Sequence, residues 1–387
     1  MKKLFTIATI ALIALTANAQ HVQKTMNYGG QERKYTEYIP TQSTDGTMPV
    51  VFFLHGLGDD CVNFSSALQF EQTAPNWIII TPEALPAVIS FYGQEMSLGN
   101  AWAAGVGAEN APFIGNIELN ANVDDEGFLI ALLDSIEAKY NVDTDSIFFS
   151  GFSMGGFMSN KMAIKHADRI KAIASVSGTI GHFTEFEPTG NINTLHFHGT
   201  SDETIGYENA EFSIYGIGAS VGTGAEATVE TWRNYNQCNT EPEVVYFEDT
   251  KNDGLTFEQY TYKNETTGKK SAFIKVNGGV HMWYDGSTND IDYNTEIYKF
   301  FTGQENLPTN INENISSKLD IFPNPANDVV YITANENEEL IIYDALNREI
   351  ARHQINSGCN TIDLSRLTNG SYFFIIDGTA QKIVICR

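Results

Sequence analysis

Apolar residues in this chain gather into short unbroken runs separated by segments of helical spacing. MPVVFFLHG (residues 48–56), NWIIITP (76–82), SIFFSGFS (146–153), IKAIASVSG (170–178), NTLHFHG (193–199) and SAFIKVNGG (271–279) are continuous rather than alternating. That is how strands buried on both faces read. VDDEGFLIALLDSIEAKY (123–140) instead places Phe128, Leu129, Leu132, Leu133 and Ile136 on one side of a helix. Either Asp124 or Asp125 is placed to cap its start, where a negative charge is favoured. GGFMSNKMAIKHA (155–167), AEATVETWRNYN (225–236) and DYNTEIYKFFTG (292–303) also read as helices. Strands alternating with helices predict an α/β fold on a mainly parallel sheet.

The pattern changes near residue 303. GQENLPTNINENISSK is polar, Asn-rich and without periodic apolar residues, so 303–315 reads as a linker. Six short strand-like runs follow, among them VVYITA, ELIIYDA and GSYFFIIDG, with NPAND, NSG and TNG as turn signals. Residues 316–387 are therefore expected to form a small all-β sandwich. At the other end, Lys2 and Lys3 precede an apolar run from Leu4 to Thr16 and a small-x-small site at Ala17-Asn18-Ala19. Residues 1–19 read as a secretory signal peptide, and the folded domain is expected to occupy 20–302. No later stretch is apolar enough to span a bilayer, so stable membrane insertion is not expected.

Charge narrows the partners. The 387 residues carry a formal net charge of −25, more negative still without the two leader lysines. Such a chain is repelled by nucleic acid and by anionic lipid. Export permits disulfides, and the four cysteines allow three pairings. Cys61 with Cys238 and Cys359 with Cys386, one pair per domain, is the expected arrangement. No C-x-x-C or H-E-x-x-H spacing is present, so no zinc site is expected, and no cofactor is called for.

The chemistry centres on Gly151-Phe152-Ser153-Met154-Gly155, which fits G-x-S-x-G between a predicted strand and a predicted helix. The alternative is a glycine-rich turn with an idle serine. A serine nucleophile needs a base, and the base needs an orienting acid. In this strand–turn–helix arrangement the chain order is serine, acid, histidine. Asp202, in the turn after NTLHFHG, is the candidate acid, with Glu203 its neighbouring rival. His281, in the glycine-rich loop after SAFIKVNGG, is the candidate base, with His182 its rival. His196 and His198 alternate along a strand and read as core or sheet-face residues. The oxyanion donors are expected to be the backbone N–H groups of Met154 and of Leu57, the latter brought close by Gly56. Trp102, Tyr207, Trp283 and Tyr284 are candidates to line the substrate cleft; Trp102 stands in the glycine-rich GNAWAAGVG.

Together, VVFFLHG, VDDEGFLIALLDSIEAKYNVDTDSIFFSGFSMGG, HFHGTSDETIGY and GGVHMWY resemble the polyhydroxybutyrate depolymerase-like and feruloyl or acetylxylan esterases over about residues 25–302. The resemblance implies an α/β-hydrolase fold, the triad Ser153, Asp202 and His281, and a polymeric ester as substrate. Members often carry proline and glycine after the tryptophan; here Trp283 is followed by Tyr284 and Asp285. LDIFPNPANDVVYI, LIIYDALNREIARHQI and NGSYFFIIDGTAQKIVI resemble the type A sorting domain of the type IX secretion system. That implies the secretion machinery as a partner and an extracellular or cell-surface destination. The competing readings are an aromatic polyester hydrolase, a serine peptidase and a non-catalytic surface adhesin. For the tail alone, the competing reading is a carbohydrate-binding β module.

Overall fold

The computed structural model describes residues 21–40, 46–91, 94–111, 115–214, 217–304, 320–323, 326–334, 337–344, 348–376 and 379–387. The expected signal peptide and most of the expected linker lie outside these residues. The chain divides into two compact units, Met1–Glu305 and Asn306–Arg387.

The first unit is built on ten strands: β1 (Val22–Tyr28), β2 (Gln31–Tyr38), β3 (Met48–Leu54), β4 (Ile78–Pro82), β5 (Val142–Phe152), β6 (Ala172–Val176), β7 (Asn193–Gly199), β8 (Glu243–Tyr246), β9 (Thr256–Lys263) and β10 (Lys270–Asn277). They lie in the order β1-β2-β4-β3-β5-β6-β7-β10-β9-β8. β4, β3, β5, β6, β7 and β10 are mutually parallel, with antiparallel strands added at both edges. The six apolar runs of the sequence are these six parallel strands. The outer antiparallel strands β1, β2, β8 and β9 escape the sequence reading because they mix polar and apolar residues.

Helices cover both faces. α2 (Asp125–Lys139) and α3 (Met154–Lys165) pack with Val50, Phe52, Leu54 and Phe149 on one side. α1 (Cys61–Leu68) and α5 (Tyr293–Thr302) pack with Val51, Phe53 and Phe148 on the other. Successive residues of β3 thus enter opposite cores, which is why the run is continuous. α4 (Ala225–Tyr235) adds Trp232 to the first side. No helix among the described residues is long and apolar enough to cross a membrane.

The two aspartates at the start of α2 have different tasks. Asp124 is the N-cap, accepting from Gly127 N–H at 2.9 Å. Asp125 turns inward and meets Arg33 Nη2 at 2.6 Å, the two side chains being 0% and 2% exposed. Its other oxygen accepts from Ala103 N–H at 2.8 Å. The Arg33 guanidinium lies 3.8 Å from the centre of the Phe128 ring. The pair therefore ties β2 to α2 and to the loop that carries Trp102.

The second unit holds β11 (Asp320–Phe322), β12 (Val329–Ala334), β13 (Glu338–Asp344), β14 (Glu349–Ile355), β15 (Gly358–Asp363), β16 (Gly370–Ile376) and β17 (Thr379–Ile385). They form two antiparallel sheets, β11-β12-β15 and β14-β13-β16-β17. Val330, Ile332, Leu340, Ile342, Phe374 and Ile383 form the core. Alternation along each strand supplies one inward face per sheet.

The buried ion pair yields a stability prediction. Asp125→Ala leaves a guanidinium in the core without its partner, and chemical denaturation followed by circular dichroism is expected to show a loss of about 3–5 kcal/mol. Arg33→Met combined with Asp125→Leu removes both charges and is expected to lose much less.

Candidate active site

Strand β5 runs into α3 through one residue, Ser153. Its backbone has φ +53° and ψ −118°, a conformation that costs a serine about 1–3 kcal/mol. Ser153 N–H donates to Val176 O at 2.8 Å, at the end of β6. Its carbonyl accepts from Gly156 N–H at 2.8 Å and Phe157 N–H at 3.1 Å. The glycines are required by distance. A Cβ on Gly155 would stand 1.9 Å from Leu54 O, and one on Gly178 would stand 2.2 Å from Ser153 O. Ser153 occupies the N-cap position of α3 but makes no side-chain cap bond, and its hydroxyl has no hydrogen-bond partner among the described residues.

Asp202 and His281 lie beyond the ends of adjacent parallel strands, β7 and β10, where Gly199 pairs with Val276. The loops that follow are in close backbone contact. Ser201 N–H donates to Gly279 O at 2.8 Å, and Thr200 N–H donates to Val276 O at 2.9 Å. A Cβ on Gly199 would stand 2.2 Å from Gly279 O. This contact carries Asp202 Oδ2 to 2.7 Å from His281 Nδ1. The second carboxylate oxygen accepts from Thr204 N–H at 2.9 Å and Ile205 N–H at 2.8 Å. Burial alone would raise the Asp202 carboxyl, but the His281 hydrogen bond and charge, with the Ile205 N–H, outweigh it and hold it below its ordinary pKa. Because the folded value is the lower one, this group stabilises the fold at neutral pH, and the contribution is lost as pH falls through that value. Tyr284 Oη accepts from Val280 N–H at 2.8 Å and anchors the His281 loop.

The loop after β3 faces Ser153 from the other side; a Cβ on Gly56 would stand 3.5 Å from Ser153 Cβ. The backbone N–H groups of Leu57 and Met154 have no protein acceptor among the described residues, and both residues border the same cleft as Ser153 and His281. Fully buried His55 fixes this loop. It accepts from Ala84 N–H at Nε2 (3.0 Å), so Nδ1 carries the proton and donates to Gly56 O at 2.7 Å. Burial pushes this imidazole below its ordinary pKa, which keeps it neutral.

The cleft measures about 320 Å³. Besides Ser153 and His281 it is bordered mainly by apolar side chains: Leu57, Val106, Leu119, Phe152, Phe157, Ile205, Phe212 and Val221. Phe152 packs against the His281 ring at 4.7 Å between centres. Among the described residues no hydrogen bond joins Ser153 Oγ to His281. Such bonds are often long before substrate arrives and tighten in the complex.

Residues 41–215 match the model of the phospholipase/carboxylesterase family, and residues 320–385 match that of the secretion system C-terminal sorting domain. With the strand order and the strained Ser153 turn, the first unit has the α/β-hydrolase fold, and its matched segment is similar to carboxylesterases. The chain is 27% identical to feruloyl esterase B of Piromyces equi over 260 residues, 66% of this chain and 43% of that protein. It is 26% identical to the putative esterase NocK of Nocardia uniformis subsp. tsuyamanensis over 246 residues, 62% of this chain and 66% of that protein. The chain thus spans less than two thirds of the length of either relative. Acetyl xylan esterase from Aspergillus awamori is a structural neighbour at 14% identity and TM-score 0.47, covering 73% of this chain and 99% of that one.

Several expectations for this site need correction. None of the four aromatic candidates borders the cleft. Trp102 is 0% exposed and donates from Nε1 to His55 O at 3.0 Å, so it supports the loop beside Ser153 from beneath. Tyr284 is 3% exposed and is used on Val280. Trp283 lies behind Phe152 and donates to Asn294 Oδ1 at 3.2 Å. Tyr207 hydrogen-bonds Glu226 and packs against His198. Apart from Phe152, Met154 and Phe157, the apolar residues that do border the cleft come from loops and short hairpins. Val106, Leu119, Phe212 and Val221 carry no periodic signal there. His182 and Glu203 are both exposed and do not border the cleft.

The expected Cys61–Cys238 bridge is not formed; both are free thiols. Cys61 Sγ donates to Glu83 Oε2 at 3.3 Å at the start of α1, whereas Cys238 Sγ lies 3.6 Å from Lys269 O, near β10 at the other side of the sheet. Burial, with the Glu83 carboxylate, pushes the Cys61 thiol up to about 12. Cys386 is also a free thiol, so the Cys359–Cys386 bridge is not formed either; the side chain of Cys359 lies outside the described residues. Thiol titration without reductant is expected to find Cys61 unreactive in the folded protein and both Cys61 and Cys238 reactive after unfolding. A Cys61–Cys238 peptide in a non-reducing digest would contradict this.

Proposed function

We propose that this protein is an exported serine esterase working through Ser153, His281 and Asp202. The observation that carries the reading is the Asp202–His281 hydrogen bond at 2.7 Å beside a cleft that also exposes a strained, uncommitted serine. His281 Nδ1–H is held by the carboxylate, which leaves Nε2 as the base. As the ester carbonyl enters, Nε2 takes the Ser153 proton and Oγ attacks the carbonyl carbon. The oxyanion is met by the Met154 and Leu57 N–H groups, whose lack of a protein acceptor supports this role. The imidazolium gives its proton to the departing alcohol, leaving an acyl-enzyme. Water then repeats the sequence and releases the carboxylate.

The apolar walls favour a bulky acyl group in the cleft over the alcohol half. An acetyl group would leave most of about 320 Å³ unfilled, whereas an aryl-propenoyl group would contact several walls. With the feruloyl esterase relative, this supports hydroxycinnamoyl esters of plant polysaccharide as the first choice, ahead of acetylated xylan and polyhydroxyalkanoate. The matched sorting domain supports delivery to the cell surface or medium by the type IX route.

Two measurements test these statements. Ser153→Ala and His281→Ala are each expected to lower kcat on a nitrophenyl ester by at least about 10⁴-fold, and Asp202→Asn by about 10³–10⁴-fold. Undiminished hydrolysis by Ser153→Ala would sink the assignment. On a panel of methyl ferulate, acetylated xylan, polyhydroxybutyrate and aromatic polyester film, kcat/KM is expected to be highest for methyl ferulate. A preference for acetylated xylan would overturn the acyl-side argument while leaving the triad intact.

A further inference from the structure

The strand that delivers the acid also carries two imidazoles that the mechanism does not use. His196 and His198 occupy alternate positions of β7 and are 3% and 0% exposed. His196 Nε2 lies 3.2 Å from His198 Nδ1. His198 Nε2 lies 2.8 Å from the Ile205 carbonyl oxygen and 3.5 Å from Asp202 Oδ2. These contacts admit one arrangement of protons. The Ile205 carbonyl only accepts, so His198 Nε2 carries hydrogen. Both rings are deeply buried, which pushes each below its ordinary pKa and keeps it neutral. His198 Nδ1 is then a lone pair, and His196 must donate to it from Nε2. That leaves His196 Nδ1 without hydrogen, and it is this nitrogen that has no partner. A buried lone pair is tolerated better than a buried, unpaired N–H.

The chain of contacts leads to the acid. Ile205 N–H donates to one oxygen of Asp202, and the Ile205 carbonyl is held by His198. The same His198 N–H borders the other Asp202 oxygen, the one bonded to His281. Phe273 stacks on His196 at 5.7 Å between centres, and Tyr207 meets His198 edge-on at 5.8 Å, so neither ring is free to turn.

We propose that His196 and His198 are positioning residues for Asp202: the proton-ordered pair aims one N–H at the Ile205 carbonyl and so holds the turn after β7 with the carboxylate set for His281. This rests on the Ser153–His281–Asp202 reading. His196 touches neither Asp202 nor the cleft and acts only by selecting the tautomer of His198. Without it, His198 is released to carry its hydrogen on Nδ1 and to face the Ile205 oxygen and the carboxylate with a lone pair.

The native protein supplies the first test. Nitrogen-15 NMR of histidine-labelled protein is expected to show His196 and His198 as neutral Nε2–H tautomers throughout about pH 5–8, the range in which an unperturbed imidazole titrates. An Nδ1–H tautomer or an imidazolium at His198 overturns the proposal. The second test is kcat and KM on a nitrophenyl ester, per site labelled to completion with a fluorophosphonate. His198→Phe is expected to lower kcat by about tenfold to a hundredfold with KM nearly unchanged, as small displacements of catalytic groups do. The low-field proton shared by His281 and Asp202 should shift or vanish. His198→Gln, which keeps an N–H donor, should recover part of the loss, and His196→Phe should lower kcat several-fold. If these variants lose only thermal stability, with kcat per site and the low-field proton unchanged, the pair is structural and the proposal fails. That result is distinct from failure of the triad, which Ser153→Ala and Asp202→Asn test directly. Should His198→Phe not fold, the tautomer measurement on the native protein still decides.

Discussion

Everything at the carboxyl edge of the sheet depends on two backbones being able to touch. Gly199 closes β7 and Gly279 lies in the turn that follows β10, and no side chain fits between them. A β-carbon at residue 199 would stand 2.2 Å from the carbonyl oxygen of residue 279. Parallel neighbours lie about 4.8 Å apart, so side chains leaving their ends meet only if the loops do not diverge. The contact prevents that divergence. It brings together an acid and a base separated by 79 positions in the chain. The turn at Ser153 obeys the same rule, with Gly155 against Leu54 O and Gly178 against Ser153 O.

Charge and neutrality are distributed by burial. His55, His196 and His198 are enclosed, which keeps each neutral, and the carbonyl or ring that each faces sets its tautomer. The ring of His281 is 15% exposed and faces the cleft, with a carboxylate behind it. Neutral imidazoles can serve as fixed hydrogen-bonding parts because deprotonation has removed the cost of enclosing a charge. The Arg33–Asp125 pair is the opposite solution, a charge kept in the core because its partner is there too. It holds the loop of Trp102, which holds the carbonyl of His55, which holds the loop opposite Ser153. Support for the site thus reaches back to β2.

Much of this was legible before any coordinates. The six parallel strands declare themselves because burial on both faces favours apolar residues at either parity. The Ser153 turn declares itself because steric contact restricts its neighbours to glycine. Asp202 and His281 follow from their places just past strand ends. The walls of the cleft were not legible, because Val106, Leu119, Phe212 and Val221 sit in loops and short hairpins without periodicity. The aromatic candidates misled for a related reason. A tryptophan in a glycine-rich loop looks like a surface feature, but Trp102 is buried by elements that are distant in the chain. Likewise, two cysteines in one domain look like a pair until their places on opposite sides of the sheet are known.

The sequence by itself determined the layered α/β architecture, the position of the strained serine and the change to an all-β tail, because these follow from local periodicity and from close steric contact along the chain. Only the tertiary structure decided which side chains face the cleft, which aspartate of α2 caps and which is buried, which thiols meet, and how the histidines of β7 stand behind the acid. Those outcomes depend on distances between segments far apart in the chain, and no local pattern encodes them.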